Sequence, residues 1–399
     1  MITNFDVASA LTMMTPFHTV LSGDLAVLPL FMLVGSFAIA GGVATEAFEV
    51  GRRWLGQLPG GLALATIAGS AAFAACSGSS MANAVALGKM AVPEMRRYGY
   101  STSLSTGACA AGGLLATMIP PSNSLAIYGI IAEESIGHLL IAGLFPGLLI
   151  ALFFGIGLYV LTRLNPKAAP ISPIRFTWKE RFTGIFKIWG VVLIFCTIFF
   201  GIFLGIFTAT EAGAFGAFVS LVVLFKKQKG KSWSAVITAC RECAAITGMI
   251  LFLIFGALVF SAFVIQAGLP RQLSETVYAL GMTPIAVIVM MVVSYVILGM
   301  FLDGAAMMLI TVPIYLPVVI ALGYDGIWFG ILLVMMVEIG TLTPPFGLLI
   351  FVLSSVVPDV PISTIFRGSI MFVFLELAVV ILIIAFPEIA LWLPSQMMG

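Results

Sequence analysis

Two groups of small polar residues interrupt otherwise apolar stretches of this chain. The first is Ser77, Ser79, Ser80 and Asn83, with Ser122, Asn123 and Ser124 beside Pro120. The second is Asp303, Thr311, Thr341 and Thr343, with the carbonyls near Pro344. Polar side chains packed this densely in hydrocarbon are costly unless they are satisfied. Hydroxyl, amide and carbonyl oxygens without a carboxylate, as in the first group, suit a hard monovalent cation or a polar substrate. The competing explanation is helix packing, in which small Ser residues let backbones approach. Asp303 stands between two long apolar arms, and an intramembrane carboxylate is a functional candidate by default. The same residue is placed to cap the arm that follows it, and the two roles are compatible.

Other ionisable groups fall in apolar surroundings. Glu211 follows Thr208-Ala209-Thr210 and reads as a helix cap near the outer boundary. Glu338 lies in mid-span, either as a proton carrier or as an acceptor for a neighbouring helix. Glu376, in a plain apolar span near Arg367, is a candidate contact to another subunit. Lys89 reads as a snorkelling side chain. Enzyme chemistry has little to work with. The two histidines, His18 and His138, belong to no H-E-x-x-H unit, and neither a G-x-S-x-G elbow nor a Walker-type loop occurs. Cys240 and Cys243 form a lone C-x-x-C with no second pair and no nearby histidine, short of the four ligands a zinc site needs. No catalytic residue and no cofactor is expected, and an ion gradient is the expected source of energy.

The elements that hold these residues must sit in lipid. Of 399 residues, 61% are apolar and only 9% are charged, against about 25% charged in soluble proteins. This excludes a disordered protein, a nucleic-acid binder and an ordinary cytosolic enzyme. A net charge of +1 implies no polyanionic partner. At about 20 residues per span, roughly a dozen membrane segments fit. The stretch from Met1 to Val20 lacks the usual form of a signal peptide.

Basic clusters mark the cytoplasmic side. They fall at Arg52-Arg53, at Arg96-Arg97, from Arg163 to Lys187, and from Lys226 to Lys231. The stretch from Leu58 to Met95 begins and ends near such clusters. Its two arms of about 15 residues span only about 22 Å, short of a core of about 30 Å. A re-entrant hairpin with its tip at Cys76–Ser80 accounts for this; the alternative is two spans joined by an outside loop. The resulting division has four parts. Residues 1–162 form a first repeat: a span, an inward-opening hairpin over 58–95, a helix over 103–131 broken at Pro120-Pro121, and a return span. Residues 163–187 form a cytoplasmic loop. Residues 188–247 form scaffold spans and an interfacial helix from Trp233 to Thr247. Residues 248–399 form a second repeat: an outward-opening hairpin over 281–320, a helix over 327–353 broken at Pro344-Pro345, and a last span.

The halves align at one constant shift, which places Pro93 on Pro317, Gly99-Tyr100 on Gly323-Tyr324, and Pro120-Pro121 on Pro344-Pro345. The same shift puts Ser79-Ser80 on Asp303-Gly304. The charge map gives the halves opposite orientation. The fold class expected is therefore an all-α polytopic membrane protein with two inverted repeats, each holding a re-entrant hairpin and a broken helix. That pattern marks secondary transporters, with sites near the midplane where helix N-termini favour anions and free carbonyls favour cations.

Several ordered motifs carry a resemblance. They are Leu58-Pro59-Gly60-Gly61, Cys76-Ser77-Gly78-Ser79-Ser80, Ala91-Val92-Pro93-Glu94-Met95, Ile119-Pro120-Pro121-Ser122 and Phe207-Thr208-Ala209-Thr210-Glu211. The second half adds Gly299-Met300-Phe301-Leu302-Asp303 and Glu338-Ile339-Gly340-Thr341-Leu342-Thr343-Pro344-Pro345. Together, across nearly the whole chain, the set resembles the large membrane subunit of the tripartite ATP-independent periplasmic (TRAP) transporters. The resemblance implies a sodium-coupled, elevator-type importer in the bacterial inner membrane. It implies a small four-helix membrane subunit and a periplasmic substrate-binding protein as partners, and an organic acid as substrate. It also implies one sodium site near Ser79, Ser80, Asn83 and Asn123, and another near Asp303, Thr341 and Thr343. Three departures stand out. The family usually has one more apolar span at its start. Many members have Asn where Leu349 stands. The family often has Asp where Asn83 stands. A stand-alone sodium/anion symporter and a non-transporting membrane scaffold are the alternatives.

Overall fold

A computed structural model describes residues 23–170, 175–228 and 232–397. The N-terminal segment read for a signal peptide, with His18, and parts of two basic clusters lie outside these. All regular structure among the described residues is helical. Six of these helices are long and apolar enough to cross a membrane, and two bent pairs add further candidates.

The first bent pair is α1 (Val27–Ala40) and α2 (Val43–Leu55), which turn by 63° at Gly41-Gly42. The hairpin arms follow as α3 (Gly61–Ser77) and α4 (Ser80–Arg97), then α5 (Thr102–Met118), α6 (Asn123–Ala132) and α7 (Ile136–Leu164). α5 and α6 meet at 43° across the Pro120-Pro121 break. α8 (Trp178–Ile185), α9 (Trp189–Phe203) and α10 (Ala209–Lys227) lead to the long α11 (Ser232–Gln266). The second half continues with α12 (Leu269–Ala279), the arms α13 (Pro284–Gly299) and α14 (Gly304–Ala321), then α15 (Gly326–Leu342), α16 (Leu348–Val356) and α17 (Ile362–Ala385).

Local chemistry sets these boundaries. Side-chain oxygens of Ser79, Ser101, Ser122, Asp303 and Asp325 accept backbone N–H groups at the starts of α4, α5, α6, α14 and α15. Such caps satisfy donors that helix starts leave orphaned. The caps recur at the repeat shift: Ser79 maps to Asp303, and Ser101 to Asp325, as Pro93 maps to Pro317. α4 and α14 match at that spacing at both ends, as do α5 and α15. Both Pro-Pro bonds are cis.

The packing interlocks the halves. α3 lies on α5, and α13 lies on α15. Each second arm also reaches into the other half, α4 against α16 and α14 against α6. α1 packs against α10 and α11, and α11 also against α14.

Four elements differ from the sequence expectation. The expected cytoplasmic loop over 163–187 holds the helix α8, started by a capping box between Thr177 and Glu180. The expected interfacial helix and the crossing after it are one continuous helix, α11, of 35 residues. No proline falls between Ser232 and Gln266. Gly248 and Gly256 each weaken a helix by only about 1 kcal/mol, and a formed helix propagates cooperatively. The amphipathic helices α2 and α12 were absent from the expected element list, because mixed polarity over a dozen residues resembles a loop. They precede the first arm of each hairpin, and their last residues, Leu55 and Ala279, are again related by the repeat shift.

Candidate functional site

The hairpin tips, the first break and helices α1, α11 and α15 line one partly open cavity of about 370 Å³. Both polar groups from the sequence face it. Ser77, Ser79, Ser80, Asn123 and Ser124 line one side, and Asp303 and Thr341 line the other. Volumes of this size hold small organic molecules.

Ser77 ends α3 and is buried, with no hydrogen-bond partner for its Oγ. Gly78 follows at φ +61, in the left-handed region that glycine enters without strain. Its carbonyl accepts the backbone N–H of Asn123 at 3.2 Å. The hairpin tip is thereby tied to the start of α6. Asn123 Oδ1 is buried and unpartnered. The Ser80 hydroxyl faces the Glu338 carboxyl. Unpaired, buried oxygens of this kind are what a desolvated cation needs.

Asp303 caps α14 through Ala305 N–H at 3.2 Å and also lines the cavity. Thr341 faces the cavity, and its hydroxyl donates to the Glu338 carbonyl at 2.7 Å. The N-termini of α4, α6 and α14 all open on this space and bring partial positive charge to it.

The remaining predicted residues stand behind the lining. Asn83 is fully buried and donates from Nδ2 to the carbonyls of Ser70 and Gly112, both at 3.2 Å, bridging α3 and α5. Its Oδ1 has no partner. Ser122 caps α6 and donates to Thr117 O. Thr311 donates to Met307 O at 2.8 Å and accepts from the Tyr295 hydroxyl at 2.9 Å, which joins α13 to α14. Thr343 donates to Ile339 O at 2.7 Å. Pro120 and Pro344 sit in the breaks.

Glu338 is a lining residue whose role the sequence left open. It is 3% exposed, with one carboxyl oxygen unpartnered. Ser36 and Thr117 also line the cavity and were not singled out. For Ser36 the only signal was a Ser in an apolar span. Glu376 is 1% exposed within this chain, which corrects the reading of a contact to another subunit: α17 turns this face toward α5, α7 and α15. Glu211 forms a capping box with Thr208, as its spacing implied, and Lys89 is exposed. Among the described residues, no Lys, Arg or His lines the cavity, and no group of three or more His, Cys, Asp or Glu forms a metal-binding cluster.

Comparison with known proteins places this geometry. The model of the family described as Tripartite ATP-independent periplasmic transporter, DctM component, matches residues 2–389. The C4-dicarboxylate TRAP transporter large permease protein DctM of Pseudomonas aeruginosa is 33% identical over 93% of this chain and 86% of that protein. The ectoine TRAP transporter large permease protein TeaC of Halomonas elongata is 32% identical over 93% of this chain and 86% of its own length. In fold, the Alcanivorax borkumensis YdaH transporter superposes with a TM-score of 0.66 at 15% identity, over 94% of this chain and 87% of that one. With its family model matched over residues 2–389, this chain belongs to the DctM component family, the large permease subunits of the TRAP transporters.

Proposed function

We propose that this chain carries out secondary active, sodium-coupled uptake of an organic acid delivered by a periplasmic binding protein. It is a multi-pass protein of the inner membrane, and its relatives are permeases rather than enzymes. The observation that carries the reading is the cavity between the hairpin tips. It presents two carboxyl groups, several hydroxyls and no cationic side chain among the described residues. An anionic substrate entering it needs positive charge from elsewhere. Bound sodium supplies that charge, together with the N-termini of α4, α6 and α14.

In this mechanism sodium binds first at two places. One lies near Ser79, Ser80, Asn83 and Asn123, and the other near Asp303, Thr341 and Thr343. Cation binding orders the tips, and the substrate carboxylate docks on them. The two hairpins and two broken helices then move as one body against a scaffold that includes α10 and α11. That motion is the elevator step of an inverted-repeat design. The scaffold's lipid-facing side receives the small four-helix subunit. The substrate class follows the named solutes of the relatives, a C4-dicarboxylate for one and ectoine for another.

The test is thermal stability in detergent, titrating NaCl against choline chloride at constant ionic strength. A ligand that binds only the folded state raises stability by mass action. A saturable, sodium-specific rise is expected in the wild type and a weaker one in Ser80→Ala and Asp303→Asn. Unchanged sodium affinity in both variants sinks the assignment.

A further inference from the structure

The cytoplasmic end of α9 carries a surface that lies outside the lining of the cavity. α8, a short turn at Phe186–Ile188, and α9 form one helical run from Trp178 to Phe203, 26 residues long, charged in its first turns and apolar beyond them. At 1.5 Å per residue it measures about 39 Å, longer than a hydrocarbon core of about 30 Å. Its first turns therefore reach headgroup depth, on the side that the basic loops mark as cytoplasmic.

Those turns carry two adjacent stripes. Trp178, Phe182 and Phe186 recur at every fourth residue and are exposed, Phe186 to 78%. Lys179 and Lys187 lie one position further round, also exposed. At the end of α10, the Lys226 ammonium stands 5.4 Å from the centre of the Trp189 ring. Lys179, Lys187 and Lys226 form no ion pair among the described residues, whereas Lys227 beside them is paired with Glu46. The one acid on α8, Glu180, is turned back on Thr177, accepting from its N–H at 2.8 Å and its hydroxyl at 2.7 Å. Three ammoniums are thus left without an anion, beside Trp178, Phe182 and Phe186, which each stay more than half exposed.

We propose that α8 and the adjoining ends of α9 and α10 form a binding surface for anionic phospholipid of the cytoplasmic leaflet. A soluble anion would match the ammoniums and gain nothing from the aromatic stripe. A phospholipid matches both, with its phosphate on Lys179, Lys187 and Lys226 and its acyl chains on Trp178, Phe182 and Phe186. The contact also reaches α2. Trp54 on that helix meets the rings of Trp178 and Phe182 edge-on, at 6.4 and 5.5 Å, and donates from Nε1 to Arg181 O. Lipid held at α8 therefore fixes the depth of the helix that enters the first hairpin.

The test uses the full chain in phosphatidylcholine nanodiscs, doped with dibrominated phosphatidylglycerol or dibrominated phosphatidylcholine as quencher. The emission of Trp178 and Trp189 is read by difference against Trp178→Phe and Trp189→Phe. Brominated phosphatidylglycerol is expected to half-quench at a mole fraction about fivefold lower or more, on the scale of one ammonium near an anionic surface. The gap should shrink in 0.5 M choline chloride. It should close in Lys179→Gln/Lys187→Gln/Lys226→Gln, whose substitutions are all at the surface, while quenching by phosphatidylcholine persists. The wild-type salt titration carries the same comparison if that variant does not fold. Equal quenching by the two lipids in the wild type overturns the proposal. So does an absence of quenching by either, which would mean that protein covers this surface.

Discussion

The backbone N–H of Asn123 donates to the carbonyl of Gly78 at 3.2 Å, so the first hairpin tip and the start of α6 share one hydrogen bond. Gly78 holds φ +61, and a Cβ added there would stand 3.1 Å from the Pro121 carbonyl oxygen. Gly78→Ala should cost about 1–2 kcal/mol for the left-handed backbone alone, with the contact to Pro121 in addition. Thermal unfolding in detergent should show a lower midpoint, and the sodium-dependent rise should shrink with it. Gly248→Ala is the control, because a Cβ there meets nothing within 4 Å and Ala favours a helix over Gly by about 1 kcal/mol. A Gly78→Ala protein as stable as the wild type would show that the tip does not depend on this join.

Asn83 acts one layer behind the cavity. Its Nδ2 spans from Ser70 O on α3 to Gly112 O on α5, with no exposure to solvent. Asn83→Ala removes both bonds and should destabilise the protein by about 1–3 kcal/mol. The loss should appear in equilibrium unfolding before it appears in any ion affinity. If stability holds while sodium affinity falls, Asn83 is a direct ligand through Oδ1 and its bridging role is minor.

The lining was legible where polarity broke an apolar run. Ser77, Ser79, Ser80, Asn123 and Asp303 each fall in a short polar or glycine-containing interruption of a long apolar run, and all face the cavity. The repeat was legible because Pro and Gly keep their places when other side chains drift; the capping pairs Ser79 with Asp303 and Ser101 with Asp325 follow it. Depth within the wall was not legible. Thr311 and Thr341 look equivalent as hydroxyls in apolar helices, yet Thr311 bonds Tyr295 inside its hairpin while Thr341 faces the cavity. Which side of a fully buried helix faces the cavity is set by packing partners from distant sequence. The amphipathic periods of α2 and α12 were present in the sequence but were masked by their polar residues. The continuity of α11 was hidden by Arg241-Glu242, which mark a surface without marking a helix end.

Arg96, near the end of α4, pairs with Asp359 in the loop before α17. This hydrogen bond holds the Asp359 carboxyl below the usual carboxylate range. A depressed acid contributes stability that is present above its unfolded value, about 3.9, and is lost as pH falls through its folded value. Between pH 5 and 8 this tie should therefore show no pH dependence. Below about pH 4 the tie should loosen, and the protection factors of the Val357, Asp359 and Val360 amides, taken against the intrinsic exchange rate at each pH, should fall. Asp359→Asn should show the lower protection already at neutral pH and little further change in protection on acidification. Equal exchange in the two proteins at neutral pH would assign the loop's order to its backbone rather than to the ion pair.

Gly299 and Gly340 meet where α13 crosses α15. A Cβ built on Gly299 would lie 2.8 Å from Gly340 Cα, and one built on Gly340 would lie 2.7 Å from Gly299 Cα. Backbone meets backbone here, so no side chain can rotate out of the way. Either substitution by Ala must part the helices, at a cost of about 1–3 kcal/mol for overpacking. The second substitution should then cost less than the first, since the helices are already apart, giving a double mutant more stable than the sum predicts. The consequence for the site is directional. Gly340 adjoins Thr341, and the turn after Gly299 leads to Asp303, so parting these helices separates the two polar groups on the second side of the cavity. Each single variant should lose sodium response roughly in step with stability. Additive costs, or an intact response in a destabilised protein, would mean that this crossing supports the fold without setting the geometry of the site.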